Sequence, residues 1–346
     1  MRMKPFLSFF CFIIVTICPY NAFGLKNRYN IKKIENVKIE KVKSSERSIK
    51  KNFCTAKISK TKLAIASNQN SISKKYELDS KKSKSLKLSK LTPKKQILSQ
   101  VEPEKAELVV DLKTGKILHS INPNKSIRPA SLTKIMTAYV VFKAIKQRKI
   151  SLNTEIIVPE HATRVPRSKL YLKPGEKIKI KDALNAIIIS SANDAAEAVG
   201  AVLAGSREKL PNFMNTQAKM LGMHNTTFMN ASGLHHDNQK TTAKDLIKLA
   251  FSIRKHFPDL YKHFSETSYE YNGKTYVGHN AVTATYRGAE GLKTGFTSKS
   301  GYNLCTVATR GNSTLVGLVI GSKSAKERNE RMVSLLDKYF IKLRAE

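Results

Sequence analysis

The sequence predicts an α+β domain: a mainly antiparallel sheet covered by helices, with a helical lobe inserted. Three observations carry this. A strand-turn-strand pattern opens the ordered part, from Glu107 to Ser120. Strand-like segments close it, between Ala289 and Ile320. Between the two, the apolar spacing is helical. Strands that open and close the domain, with helices between, suggest a sheet with helices packed on it.

The chain has 346 residues, enough for one large domain or two small ones. Formal net charge is +36 and hydrophobic content is 41%. The charge reads as concentrated in the first hundred residues or so. Residues 1–24 have the pattern of a secretory signal peptide: Arg2 and Lys4, the apolar run Phe6 to Cys18, then Ala22-Phe23-Gly24. The run is too short for a comfortable membrane span. Such a signal implies export, to the periplasm or the outer face of the cytoplasmic membrane. Residues 25–104 read as a basic disordered linker, rich in Lys, Ser and Asn. Exposed lysines there suit an anionic membrane surface. No aromatic-interleaved or groove-reading motif accompanies them, so no specific nucleic acid is expected. Past the signal only Cys54 and Cys305 remain, too few for a disulfide framework; both are expected as free thiols. No Cys/His cluster has metal-ligand spacing, so no metal site is expected.

The catalytic domain is expected over 105–342. Glu107 to Asp111 and Lys116 to Ser120 form a hairpin, with Thr114-Gly115 in its turn. A helix starts near Pro129-Ala130-Ser131. Its apolar run from Ile135 to Ile145 leaves no polar face, so it belongs in a core. Further helices are predicted over Asp182 to Ile189, from Ala195 onward, over Arg207 to Leu221, and over Thr242 to Arg254. The last opens with Thr242 and Asp245 in a capping pattern. Ala289 to Phe296 is a strand. Tyr302 to Thr309 and Leu315 to Ile320 form a hairpin around Gly311-Asn312. Ser324 and Glu327 cap a final helix whose apolar face carries Met332, Leu335, Leu336, Tyr339 and Phe340. A cleft between lobes is the expected site.

Three motifs could furnish that site. Ser131 and Lys134 share a helix face at i,i+3. The positive end of the helix would disfavour the charged lysine and leave a base beside the hydroxyl. The spacing alone says little: Ser48/Lys51, Ser59/Lys62 and Ser71/Lys74 share it, with no apolar helix behind them. Ser191-Ala192-Asn193 offers a hydroxyl and a carboxamide between two helices, although Ser and Asn also suit plain helix caps. Lys293-Thr294-Gly295 ends a strand. An edge there can pair with an extended peptide, and Gly295 allows close approach. Lys113-Thr114-Gly115 is the same tripeptide and reads as a turn. His235 and His236 read as parts of a structural loop near the cleft.

Ser-x-x-Lys, Ser-x-Asn and Lys-Thr-Gly, in this order, form the signature of penicillin-binding proteins and class A β-lactamases. With Val109-Val110-Asp111, Pro129-Ala130-Ser131, Asn230-Ala231-Ser232-Gly233-Leu234 and Gly291 to Thr297 added, the chain resembles the D-alanyl-D-alanine carboxypeptidases, low-molecular-mass penicillin-binding proteins, from about Ala106 to Phe340. The resemblance implies a β-lactamase/transpeptidase-like fold and acyl transfer through a serine ester. The implied substrate is a peptidoglycan stem peptide ending in D-Ala-D-Ala, with β-lactams as covalent inhibitors. Ser131 would be the nucleophile and Lys134 its base. Ser191 would relay a proton to the leaving amine, and Asn193 would hold Lys134 and the substrate amide. Lys293 and Thr294 would bind the substrate carboxylate beside Gly295. Backbone N–H groups of Ser131 and Phe296 would form the oxyanion hole. Such relatives often carry a C-terminal β-domain and an anchoring helix; the sequence past Phe340 is too short for either. The alternatives are an endopeptidase or transpeptidase on this scaffold, a β-lactamase with Glu208 as the nearest acidic candidate, and a non-catalytic envelope-binding protein.

Overall fold

The computed structural model describes residues 105–345; the signal peptide and basic linker expected over 1–104, and Cys54 with them, lie outside the described residues. The opening hairpin is β1 (Ala106–Asp111) and β2 (Ile117–Ile121). A 3-10 turn, Ala130–Leu132, runs into α1 (Thr133–Lys146). Next come β3 (Glu155–Ile157), the short α2 (Glu160–Thr163) and β4 (Lys177–Lys179). The helical block continues with α3 (Ile180–Ile188), α4 (Asn193–Ala204), α5 (Leu210–Met220) and α6 (Ala243–His256). After α7 (Pro258–Tyr261) come the small hairpin β5 (Ser268–Tyr271) and β6 (Lys274–Val277), then α8 (Ala281–Thr285). The chain then forms β7 (Ala289–Thr297), β8 (Gly301–Arg310), β9 (Ser313–Ser322) and α9 (Ala325–Ala345).

The sheet order is β2-β1-β9-β8-β7, and every neighbouring pair is antiparallel. The first strand and the last lie side by side, with Leu108 opposite Leu318. Side chains alternate between the two faces of a strand. Leu108, Val110, Cys305, Val307, Val316 and Leu318 join the core shared with α1 and α6. Val109, Leu304, Ala308, Leu315 and Val319 meet Met332, Leu335, Leu336, Tyr339 and Phe340 of α9. Cys305 is a free, buried thiol, pushed up to about 12 by that burial.

Local signals held where they had a mechanism. Of α1, only Lys143, Ile145 and Lys146 escape burial. Thr242 Oγ1 accepts from Asp245 N at 3.1 Å, and Asp245 in turn ties down Asn225 N and Thr226 Oγ1. Ser324 Oγ accepts from Glu327 N at 3.0 Å at the start of α9. Two differences stand out. Helix α4 begins at Asn193, not Ala195, because the extended residue before it is Ala192. The β3–β4 pair and the β5–β6 hairpin were not expected; strands of three or four residues are too short to show a period. The basic excess also extends into the domain: from residue 105 on, Lys and Arg outnumber Asp and Glu about two to one. Among the described residues no helix is long and apolar enough to cross a membrane.

Candidate active site

The 3-10 turn carries Ser131 and the first turn of α1 carries Lys134, so the two meet through local geometry. Lys134 Nζ lies 3.1 Å from Ser131 Oγ. It also donates to Asn193 Oδ1 at 2.7 Å and to the Ser232 carbonyl at 2.6 Å. The Asn193 amide is oriented by its other end: Nδ2 donates to the carbonyls of Pro166 and Arg167 at 3.1 and 2.7 Å. This arrangement has a chemical consequence. Asn193 Oδ1 and Ser232 O can only accept. A neutral Lys134 amine gives them its two N–H groups, and its lone pair then faces the Ser131 hydroxyl. Burial holds Lys134 well below the usual lysine range; the Lys293 charge adds to this, while Glu197 and Asp194 oppose it. The side chain is 1% exposed. Desolvation therefore comes first, rather than the helix end invoked from the sequence.

Ser191 sits in the tight connection between α3 and α4. Its φ is +60°, a left-handed conformation uncommon for serine. The turn is closed by Ala192 N donating to Ala186 O at 2.9 Å. Ser191 and Asn193 thus line the cleft from the helical side.

Strand β7 supplies the other wall from the sheet edge. Lys293 is 2% exposed and its Nζ donates to Thr294 O at 3.1 Å. Burial, then the nearby Arg328 charge, push it down to about 7. A Cβ on Gly295 would stand 3.2 Å from Ser131 N, so glycine lets the strand close on the serine turn. Thr294 is buried, while Phe296 is 54% exposed and rests against Tyr302 with ring centroids 4.3 Å apart. The cleft, about 470 Å³, brings together Ser131, Ser191, Asn193, Thr294, Gly295 and Phe296. Lys293 lies buried behind them.

Sequence reasoning missed several groups here. The Ser232 carbonyl is one, since backbone acceptors leave no residue signature. Arg328 is another: it lines the cleft, is 5% exposed, and donates through Nε and Nη2 to Asn329 Oδ1 at 3.0 and 2.8 Å. A signal for it existed, because Arg328 stands four residues before Met332, on the apolar stripe of α9. His279 also lines the cleft; burial, then Lys293 and Arg328, lower its pKa. Arg167 completes the set. Among the described residues the cleft's basic side chains are Arg167, His279 and Arg328, and no Asp or Glu lines it. Glu208 is exposed, between α4 and α5, and takes no part in the lining.

A buried lysine thus lies against a serine, between a helical wall and a sheet edge, on a scaffold like that of the penicillin-binding proteins. The solved structures agree. Penicillin-binding protein 5 of Haemophilus influenzae superposes with a TM-score of 0.66 at 31% identity, over 69% of this chain and 71% of that one. Penicillin-binding protein D2 of Listeria monocytogenes, in its ampicillin-bound form, gives 0.61 at 31% identity, over 66% and 94%. The D-alanyl-D-alanine carboxypeptidase family profile matches residues 92–324, and the chain belongs to that family. Among curated relatives, a D-alanyl-D-alanine carboxypeptidase of Bacillus subtilis is 34% identical over 240 residues, covering 67% of this chain and 61% of the relative. One from Escherichia coli is 36% identical over 239 residues, covering 67% and 60%. The chain thus spans about three-fifths of the length of these relatives.

Proposed function

We propose that this chain is a serine D-alanyl-D-alanine carboxypeptidase that trims the terminal D-Ala from peptidoglycan stem peptides, with residues 105–342 as its catalytic domain. The observation that carries the reading is the Lys134 amine, caught between two pure acceptors with its third direction on Ser131 Oγ. Ser131 attacks the carbonyl of the penultimate residue as Lys134 takes its proton. Backbone N–H groups of Ser131 and Phe296 meet the developing oxyanion. Ser191 passes a proton to the departing D-Ala amine, and Asn193 holds both Lys134 and the substrate amide. The free carboxylate of the substrate faces Thr294, Lys293 and Arg328. Water then hydrolyses the ester. No step draws on a metal or an organic cofactor.

The basic lining supports a substrate with a free carboxylate. β-Lactams carry one too, and the same attack opens their ring. A class A β-lactamase deacylates with a glutamate, and Glu208, the nearest candidate, does not line the cleft, which disfavours a β-lactamase. The signal-like residues 1–24 support an exported enzyme. The test is a labelled-penicillin gel together with a D-Ala release assay. We expect labelling and release in the native protein and neither in Ser131→Ala. A folded native protein that takes no label is a binder, not an enzyme. Residual label in Ser131→Ala would move the nucleophile to another serine.

A further inference from the structure

Two buried carboxylates stand behind Lys134, and the three motifs explain neither. Asp194 opens α4, and Glu197 lies nearly one turn further along it. Asp194 is engaged by backbone: it accepts from Leu170 N, Leu172 N and Ala195 N at 2.9, 3.1 and 2.9 Å. It thereby pins the 166–172 loop whose carbonyls orient Asn193. Glu197 acts elsewhere. Its Oε1 accepts from Ser232 N at 3.0 Å. The carbonyl of that same peptide unit, Ala231 O, accepts from Thr137 Oγ1 of α1 at 2.7 Å. The unit is gripped at both ends, by α1 and by α4. The next carbonyl, Ser232 O, then points at the Lys134 amine.

The position of Glu197 also matters electrostatically. In a dry interior a carboxylate acts on a nearby amine far more strongly than in water. The charged groups acting on Lys134 are Lys293 from β7, and Glu197 and Asp194 from α4. Arg328 from α9 bears on Lys293 rather than on Lys134 directly, and Lys293 and Arg328 together bear on His279, just before α8. Burial and Lys293 drive Lys134 towards neutrality. An amine driven too far would be free at working pH yet too weak to take the serine proton. Of the two carboxylates that oppose this, Glu197 is the larger influence.

We infer that Glu197 is a positioning residue for the general base: it fixes the Ser232 carbonyl on the Lys134 amine, and its negative charge sets the strength of that base. The inference rests on the reading of Ser131 and Lys134 as nucleophile and base. Acylation needs neutral Lys134, so its rate climbs with pH as that amine loses its proton. Glu197→Gln keeps an acceptor oxygen for Ser232 N and removes the charge. The acid limb of the penicillin acylation profile then moves to lower pH, and the plateau falls about two- to tenfold because the base is weaker. Glu197→Met, charge-free and of similar length, shifts the limb the same way. Glu197→Asp keeps the charge and leaves the limb near the native position. A purely structural glutamate would lower thermal stability and leave the limb in place for all three. Folded Gln and Met variants with the native limb would overturn the inference, as would an Asp variant that shifts as far as they do. Absence of acylation in the native protein would count against the site reading instead. The Lys134 amine is then read directly, by NMR titration of lysine labelled with ¹³C at Cε. A Lys134 signal that titrates at lower pH in Glu197→Gln supports the role, and coincident titrations overturn it.

Discussion

Lys-Thr-Gly occurs twice in this domain, and the two copies have nothing in common but their residues. Lys113-Thr114-Gly115 is the exposed turn between β1 and β2. It is held by Asp111, which accepts from Lys113 N at 3.0 Å and from Thr114 Oγ1 at 2.6 Å. Gly115 takes φ +74°, with nothing within 4 Å of where a Cβ would stand. Lys293-Thr294-Gly295 runs extended inside β7, paired with Cys305, Leu304 and Asn303 of β8. Its lysine is buried and its glycine abuts the Ser131 turn. The first copy is shaped by one local carboxylate. The second is shaped by groups from the distant serine turn and from α9. A tripeptide acquires chemistry from what it faces.

The contrast is broken or sharpened most strongly at the lysines. Lys293→Gln should cut penicillin acylation about a hundredfold at pH below about 7, where a positive charge is lost from the wall proposed to hold the carboxylate. Lys293→Arg should cost less, since charge survives without shape. Lys113→Gln should acylate like the native protein. Equal rates in all of these would remove the role of Lys293.

The glycines come next. Gly295→Ala must displace the Ser131 turn by a few tenths of an ångström, and we expect about a tenfold loss of acylation rate with little change in folding. Gly115→Ala should do the reverse. It costs about 1 kcal/mol of stability through its left-handed φ and leaves acylation untouched. Thermal melts and acylation kinetics on both variants separate the two effects.

A smaller effect follows from the titration of Lys293. Its value of about 7 means it is charged below neutrality and neutral above. Non-covalent binding of a β-lactam carboxylate to Ser131→Ala should therefore weaken as pH rises through that value. Lys293→Arg in the same background should flatten the dependence. Stability runs the other way. The unfolded lysine keeps its proton up to about its ordinary value of 10.5. Between about 7 and that value the unfolded state binds more protons, so stability rises with pH. Calorimetry of the native protein and of Lys293→Gln reads that slope, which the substitution should lessen, Lys134 supplying the rest. The smallest expected effect is none: Glu208→Ala should leave acylation and the lifetime of the penicilloyl ester unchanged. A lengthened lifetime would restore a β-lactamase-like role to that glutamate.

Much of the domain was written in short-range pattern. The Thr114-Gly115 turn, the Thr242 and Ser324 caps, the mostly apolar α1 and the serine–lysine pairing each depend on residues within one helical turn or one hairpin. Backbone geometry alone brings such neighbours together, so a sequence can be read for them. The sheet covered by helices was also legible, because strands open and close the domain; that β1 pairs with β9 came from the structure. What the tertiary structure alone decided is the working state of the site. Lys134 takes its acceptors from residues 59 and 98 positions away, and one of those is a backbone carbonyl with no residue signature. Burial, together with Lys293, Asp194 and Glu197, decides how readily Lys134 gives up its proton, and Arg328 enters the cleft only because α9 docks on the sheet. A pattern of residue types records which groups are present. Desolvation and the field of distant charges depend on where the packed core leaves them, and that is fixed only when the helices and the sheet have closed on each other.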